Sequence, residues 1–318
     1  MSASHASLWG IILAGGEGER LKGFVRERFG SAMPKQFCAF VGRRSMLERT
    51  ITRARLLIPS ERLVVIGTAH HDSYMVRNLG PSPPGTVVLQ PANRDTAPGI
   101  LLPLIHVLRK DPEAVVAILP ADHFILPGRR FMRAVAEGAT FVVDKNVDVP
   151  VLLAVQPDRP ESEYGWIEPG EFVEYGDQRT IRQIKRFIEK PSQDRAERFM
   201  KDGWLWNTMV IIARARAFLD LMRKQVPDLA MCCTLLQRFL GSERERDVIK
   251  EVYHVIPKIN VSTSVLAHQG MKSFVLLVQD VRWSDWGTKE RVLDTATALG
   301  LGPSVAIRTP QAPVSIPL

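Results

Sequence analysis

From Leu13 to Phe37 the sequence reads LAGGEGERLKGFVRERFGSAMPKQF. Gly15, Gly16 and Gly18 lead to Arg20, and a basic, loop-like run follows that ends in Pro34, Lys35 and Gln36. Glycines let a backbone approach a ligand closely and aim several N–H groups at one point, which makes a nest for phosphate oxygens. Arg20 adds a forked, permanently charged donor, and Lys35 adds a mobile point charge. Together they could hold something polyphosphorylated. A plain tight turn with surface cations has the same spacing, because such turns are common after strands in α/β chains.

Two acids could complete that chemistry. Asp122 ends the apolar run of LPADH, and Asp285 lies between aromatics in WSDWG. Two hard oxygen ligands, completed by substrate phosphates, suit Mg²⁺. A helix cap or a paired core acid is the alternative at either position. His123 reads as a packing or capping histidine. Glu189 and Lys190, followed by Pro191, set a carboxylate beside an ammonium; alone they read as a surface ion pair of little energetic weight.

Several familiar constellations are broken or missing. Leu21 stands where the dinucleotide fingerprint needs its third glycine, and no G-x-x-x-x-G-K-[ST], H-E-x-x-H or C-x-x-C occurs. No G-x-S-x-G elbow is present. The three cysteines, Cys38, Cys232 and Cys233, form neither a disulfide framework nor a zinc spacing. The opening residues lack a basic leader. A cytoplasmic setting is therefore expected.

The elements that must carry these residues alternate along the chain. LWGIILA, RLVVIG, TVVLQ, AVVAILPAD and VPVLLAV are short apolar runs that read as buried strands. Between them, SMLERTITRARLLI places Leu47, Ile51, Ala54 and Ile58 on one helical face, and Ser45 with Glu48 has capping-box spacing. TAPGILLPLIHVLRK reads as a helix with Pro98 in its first turn, and with a kink or break at Pro103. A helix also fits Phe131–Val143. Continuous apolar strands alternating with helices predict a Rossmann-like three-layer α/β/α fold with a mainly parallel central sheet. Ligands in such folds sit at the carboxyl ends of strands. The second half is more mixed, with strands at TIRQIKRFIEKP, NTMVIIA and SFVLLVQD and helices between and after them. The organisation expected is one domain over 1–299, with a nucleotide-side half to about 150 and a sugar-phosphate half from about 151. A Pro-rich, poorly ordered tail is expected over 300–318.

The chain has 318 residues, of which 45% are hydrophobic and 24% charged, with a formal charge of +8. This is ordinary globular composition, and no run approaches the ~20 apolar residues of a membrane span. The positive charge admits an anionic partner. Basic residues do not alternate with aromatics as in a nucleic-acid groove, so neither nucleic acid nor membrane is expected as a partner.

Taken together, the motifs resemble the sugar-nucleotide pyrophosphorylases, most closely the mannose-1-phosphate guanylyltransferase group, over about residues 9 to 295. LAGGEGERL with PKQF, QPANRDTAPGI, LPADHFI, YGWIEPG, FIEKPS, WLWNTMVI and WSDWG occur in the family's order. The resemblance implies transfer of a guanylyl group from GTP to mannose-1-phosphate with Mg²⁺. It implies nucleotide contacts from Leu13, Ala14, Gly15, Gly16 and Gly18, with Arg94 and Thr96 on the nucleoside side. Arg20, Lys35, Asp122, Lys190 and Asp285 would be catalytic, with Asp122 and Asp285 binding the metal. Gly165, Glu189 and Asn207 would meet the sugar and Lys190 its phosphate. A homodimer is one admissible assembly.

The chain departs from the family pattern at several points. Thr208 and Met209 replace the usual Ser-Gly after WN, and Ser262 and Ala267 stand where acids are common. The segment between Arg20 and Pro34 is longer than usual, with Lys22, Gly23 and Phe24 in place of a W-P-L-like element. Neither the fused C-terminal isomerase domain of some members nor a β-helix repeat is present in this sequence, so a single reaction is expected. Two further readings stay open: the same chemistry on another sugar phosphate or base, and a catalytically weak sugar-nucleotide-binding regulator.

Overall fold

The structure, a computed structural model, describes residues 7–81, 83–175, 180–268 and 272–300. Nearly all of the tail expected to be poorly ordered, 301–318, lies outside the described residues. Four apolar runs form parallel strands in the order β3-β2-β1-β4: β1 (Leu8–Leu13), β2 (Leu63–Thr68), β3 (Thr86–Gln90) and β4 (Val115–Pro120). β2 and β4 are buried at every residue. A strand covered on both faces has no polar face to show, which is why these runs are continuously apolar.

Helices pack on them for local reasons. α1 (Lys22–Phe29) lies within the stretch that reads as a loop. Its charged residues hide a short apolar face: Val25 is fully buried, and the rings of Phe24 and Phe29 lie 6.1 and 5.7 Å from Phe40. Gly30, at φ 72°, ends it. α2 (Met46–Ala54) begins with the capping box: the Glu48 N–H donates to Ser45 Oγ at 3.1 Å, and the Ser45 N–H to Glu48 Oε2 at 2.6 Å. α3 (Asp72–Leu79) follows β2. α4 (Thr96–Lys110) stays one helix through Pro103. An internal proline costs roughly 3 kcal/mol, but 11 of the 15 residues are buried, and each large apolar side chain among them returns about 1.5–3 kcal/mol. α5 (Gly128–Asp144) follows β5 (Phe124–Leu126).

The second half overturns the expected fold class. β6 (Val151–Val155), β7 (Gly165–Phe172), β8 (Ile181–Glu189), β9 (Leu205–Arg214) and β10 (Phe274–Leu277) join the same sheet in the order β4-β9-β6-β10-β8-β7. β7 then pairs back onto β9, Trp166 opposite Trp206 and Ile167 opposite Leu205. Five strands thus close into a small barrel, and the sheet is neither a simple open Rossmann-like layer nor mainly parallel. Only β1/β2, β2/β3, β1/β4 and β6/β10 run parallel; β9 is antiparallel to β4, β6 and β7. Register shifts at Leu152/Ala154 and around Pro169 supply the curvature that closure requires. Alternate residues feed two cores: Leu152, Ile167 and Ile211 enter one, while Leu153, Trp166 and Ile212 enter the other.

β11 (Arg282–Ser284) pairs antiparallel with β5, Ser284 opposite Phe124. The remaining helices are α6 (Gln193–Lys201), followed by Gly203 at φ 75°, then α7 (Ala215–Gln225), α8 (Pro227–Phe239), α9 (Glu245–Val255) and α10 (Lys289–Ala298). Among the described residues no helix is long and apolar enough to cross a membrane.

Candidate active site

The loop after β1 is fixed by side chains that the glycine pattern does not reveal. Gln36, 1% exposed, donates from Nε2 to the carbonyls of Ala14 at 2.9 Å and Gly16 at 2.8 Å. The Thr68 hydroxyl donates to the Gly15 carbonyl at 3.1 Å and accepts from Gln90 Nε2 at 3.2 Å. A Cβ on Gly15 would come within 2.6 Å of Gln90 Nε2, so a larger residue would have to push that amide away from the Thr68 hydroxyl. A Cβ on Gly16 would meet nothing within 4 Å, so this residue faces open space. Gly18 adopts φ 65°, the left-handed region that favours glycine, and hands the chain to the short turn bearing Arg20.

A cleft of 630 Å³ opens beside this loop, lined by Leu13, Gly15, Gly16, Asp95, Thr96 and Asp122 among others. A smaller cavity of 230 Å³ is lined by Gly18, Arg20, Lys35, Asp122 and Gly287. Asp122 lines both. Lys35 is 9% exposed; its Nζ lies 3.0 Å from Asp122 Oδ2 and donates to the main-chain carbonyl of Asp285 at 2.6 Å. The two acids meet through the β5/β11 pair: Asp122 lies two residues before Phe124, and Asp285 directly follows Ser284. Trp286 anchors the second strand's exit, fully buried and stacked on Phe124 with ring centroids 4.9 Å apart.

Asp285 Oδ1 accepts from the Tyr164 hydroxyl, the Gly287 N–H and Arg291 Nη1, each at 2.9 Å. Arg291 also meets Glu161 at 2.7 Å, and Arg20 meets Glu163 at 2.8 Å and Asp285 Oδ2 at 3.5 Å. Burial pushes the Asp285 carboxyl up, but Lys35 and then Arg291 outweigh it and hold it down at about 2. Burial likewise opposes the charge on Asp122, and Lys35 overcomes it, leaving the group below the usual carboxylate range. Both acids are therefore anions at neutral pH. Burial pushes His123 down, so it is neutral there. A Cβ on Gly287 would come within 2.5 Å of Asp285 Oδ2 and 2.9 Å of Arg20; a larger residue would break this knot apart.

Gly165, Glu189 and Asn207 also come together. Gly165 is paired with Glu189 across β7 and β8, and a Cβ on Gly165 would lie 2.8 Å from Glu189 Oε2 and 3.3 Å from Asn207 Cβ. Burial pushes the Glu189 carboxyl up, against the adjacent Lys190. Lys190 is exposed, at φ 46°, with its N–H bonded to the Tyr164 carbonyl at 3.1 Å. Thr96 lines the cleft and accepts from the Val261 N–H at 2.8 Å. Arg94 turns away from it: its guanidinium donates to the carbonyls of Tyr253 and His254 at the end of α9, at 2.9 and 3.1 Å.

Sequence reading assigned no part to Tyr164, Glu161, Arg291 or Gln36. Tyr164 lies inside a quoted motif, but nothing in its spacing points to Asp285. Met209 lines the cleft at φ 58°, with its Sδ accepting from the Ser262 hydroxyl at 3.0 Å. Glu17, His70 and His71 form a second cluster able to hold a metal ion, with Glu17 Oε2 3.2 Å from His70 Nε2 and 3.5 Å from His71 Nε2. The adjacent histidines were its only sequence signal.

A glycine turn beneath an open cleft, with a buried lysine bridging the Asp122 carboxylate and the Asp285 main chain, is an arrangement suited to phosphate chemistry. The chain matches the nucleotidyl transferase family over residues 9–300 and belongs to it. It is 29% identical to the xanthan biosynthesis protein XanB of Xanthomonas campestris pv. campestris, over 92% of this chain and 60% of that one. It is 30% identical to a mannose-1-phosphate guanylyltransferase of Klebsiella pneumoniae, over 87% of this chain and 58% of that one. The chain thus spans about three-fifths of the length of these relatives. A crystal structure described as mannose-1-phosphate geranyltransferase from Thermus thermophilus superposes with a TM-score of 0.75 at 29% identity, covering 90% of this chain and 79% of that one.

Proposed function

We propose that this protein transfers a guanylyl group from GTP to mannose-1-phosphate, giving GDP-mannose and pyrophosphate. The observation that carries the reading is Lys35 set between Asp122 and the Asp285 main chain, where the nucleotide-side cleft meets the small cavity beneath Arg20. The relatives' names supply the choice of sugar and base.

A phosphate monoester has a second pKa of about 6, so the attacking oxygen of the sugar phosphate is already ionised at neutral pH and no general base is needed. The protein's work is to align two anions and to neutralise charge. In this reading the loop Gly15–Gly18 and Arg20 bind the triphosphate. Lys35 offers charge at the reacting phosphate. Gly165, Glu189 and Asn207 seat the sugar, and Lys190 takes its phosphate. Asp122 and Asp285 suit Mg²⁺: both are ionised, and Asp122 Oδ1 has no neighbour nearer than His123 at 3.7 Å among the described ion pairs. When bound there, Mg²⁺ neutralises phosphate oxygens as charge develops.

Met209 supports a second reading, in which the same chemistry acts on another sugar phosphate. It is a long side chain at positive φ lining the cleft, where the related proteins commonly carry glycine. One assay separates the two: pyrophosphate release across GTP, ATP, UTP and dTTP, each with a panel of sugar-1-phosphates. GTP with mannose-1-phosphate should lead; equal or faster turnover with another pair would replace the first reading.

A further inference from the structure

A second cavity, of 510 Å³, lies apart from the cleft and shares only His123 with it. Its lining includes Arg43, Arg44, Arg49, Arg53 and Arg129, and among the described residues no Asp or Glu lines it. None of the five guanidinium groups meets a carboxylate at ion-pair distance among the described residues. The cluster instead has neutral partners: Arg49 donates closely from Nη2 to the Val41 carbonyl and from Nε to the Arg44 carbonyl at 3.4 Å, and Arg44 donates to Thr52 Oγ1 at 3.5 Å.

Arg53 is the decisive member. It is 93% buried by its 7% exposure, its Nη2 donates to Thr50 Oγ1 at 3.0 Å, and its Nε has no partner. Burial, and then Arg49, pull it down to about 10, which still leaves it charged at neutral pH. A buried charge without a counter-charge costs several kcal/mol, and such a group calls for an anion. Gly128, the first residue of α5, lines the same cavity against the Arg53 stem, where a Cβ would lie 3.3 Å from Cγ. That 17-residue helix has no side-chain cap, so its free N–H groups add to the positive field.

We propose that this arginine-lined cavity binds an oxyanion of the phosphate class carrying two or more negative charges, at a site separate from the nucleotidyl-transfer cleft. Guanidinium groups pair with phosphate through two parallel N–H···O bonds, and five of them around one cavity exceed what a monoanion needs. A free inorganic anion or the phosphates of a nucleotide could be the source.

Equilibrium dialysis of the full chain against labelled inorganic pyrophosphate at low ionic strength tests this. The triple variant Arg43→Gln/Arg44→Gln/Arg129→Gln changes only exposed side chains. It should weaken one binding equivalent by about tenfold or more and leave pyrophosphate release turnover unchanged. Arg53→Gln should abolish that equivalent, with a thermal melt reporting whether it folds. Lys35→Ala should leave the same equivalent intact, which separates it from the cleft and from the proposed reaction. Displacement of this equivalent by GTP assigns a nucleotide as source; resistance to GTP assigns the inorganic anion. A triple variant that binds pyrophosphate with the stoichiometry and affinity of the unmodified chain overturns the proposal.

Discussion

The Lys35 ammonium donates to the main-chain carbonyl of Asp285, 250 positions away in sequence, at 2.6 Å. It grips the backbone rather than the carboxylate, whose Oδ1 already accepts three donors. Its other contact, Asp122 Oδ2 at 3.0 Å, belongs to the segment that leads into β5. One buried cation therefore ties together the two segments that carry the acids, as well as lining the smaller cavity.

Removing that cation should damage turnover more than binding. Lys35→Ala should lower kcat by ~100-fold or more, as loss of a preorganised charge donor does, while KM for GTP changes by less. Steady-state pyrophosphate release checks this. An unchanged kcat with a raised KM would reduce Lys35 to a binding residue.

Asp122→Asn and Asp285→Asn keep shape and remove charge. Each should lose most activity, and the double variant little more, if the two serve one metal site as proposed, because groups of one site act as a unit. The two should differ in stability. Asp285→Asn removes one of the two carboxylates that meet Arg291, 6% exposed, leaving it Glu161 alone, and should lower Tm by several degrees, whereas Asp122→Asn should lower it less. Near-normal turnover in Asp285→Asn would leave that acid a structural turn residue.

The depressed carboxyl of Asp285 fixes a pH dependence. Its folded value, about 2, lies below the ordinary 3.8. The stability it contributes is complete above about pH 4 and is lost as pH falls toward 2, on the order of 2 kcal/mol. Urea midpoints at pH 5 and pH 2.5 should differ less in Asp285→Asn than in the unmodified chain. Equal differences would mean that other carboxylates carry the acid sensitivity.

Gly165→Ala sets a methyl group 2.8 Å from Glu189 Oε2 and 2.9 Å from the Phe187 ring. Glu189 must move. KM for the sugar phosphate should rise ~10-fold or more, as for a loss of about 1.4 kcal/mol in binding, with KM for the nucleotide close to normal. A parallel rise in both would break the assignment of this trio to the sugar.

The half of the fold built from continuous apolar runs was legible, because two-sided burial leaves a direct mark on composition. The barrel was not. β7 contains Pro169 and Gly170 and lacks an apolar run, and its closure rests on Trp166 meeting Trp206, a pairing that spacing does not encode. The turn after β1 could be read from its glycines, but its support by Gln36 could not. Asp122 and Asp285 could each be suspected. Their meeting depends on the three-residue strands β5 and β11, too short for any periodicity to register. α1 escaped for the opposite reason, since its charges masked the single face formed by Phe24, Val25 and Phe29.

Closing five strands on themselves also decides where the sheet can grow. Among the described residues, β3 is the one strand of the nine with a single neighbour. Its outer row of N–H and C=O groups is the main sheet's free template for a further strand. TVVLQ carries no charge and is rich in valine, so by itself it would invite self-association. Lys110, which donates to Thr86 Oγ1 at 2.8 Å, sets an ammonium over its first residue. Among the described residues, the main sheet's exposure to strand-mediated aggregation is thereby confined to five residues, with a gatekeeper charge at one end.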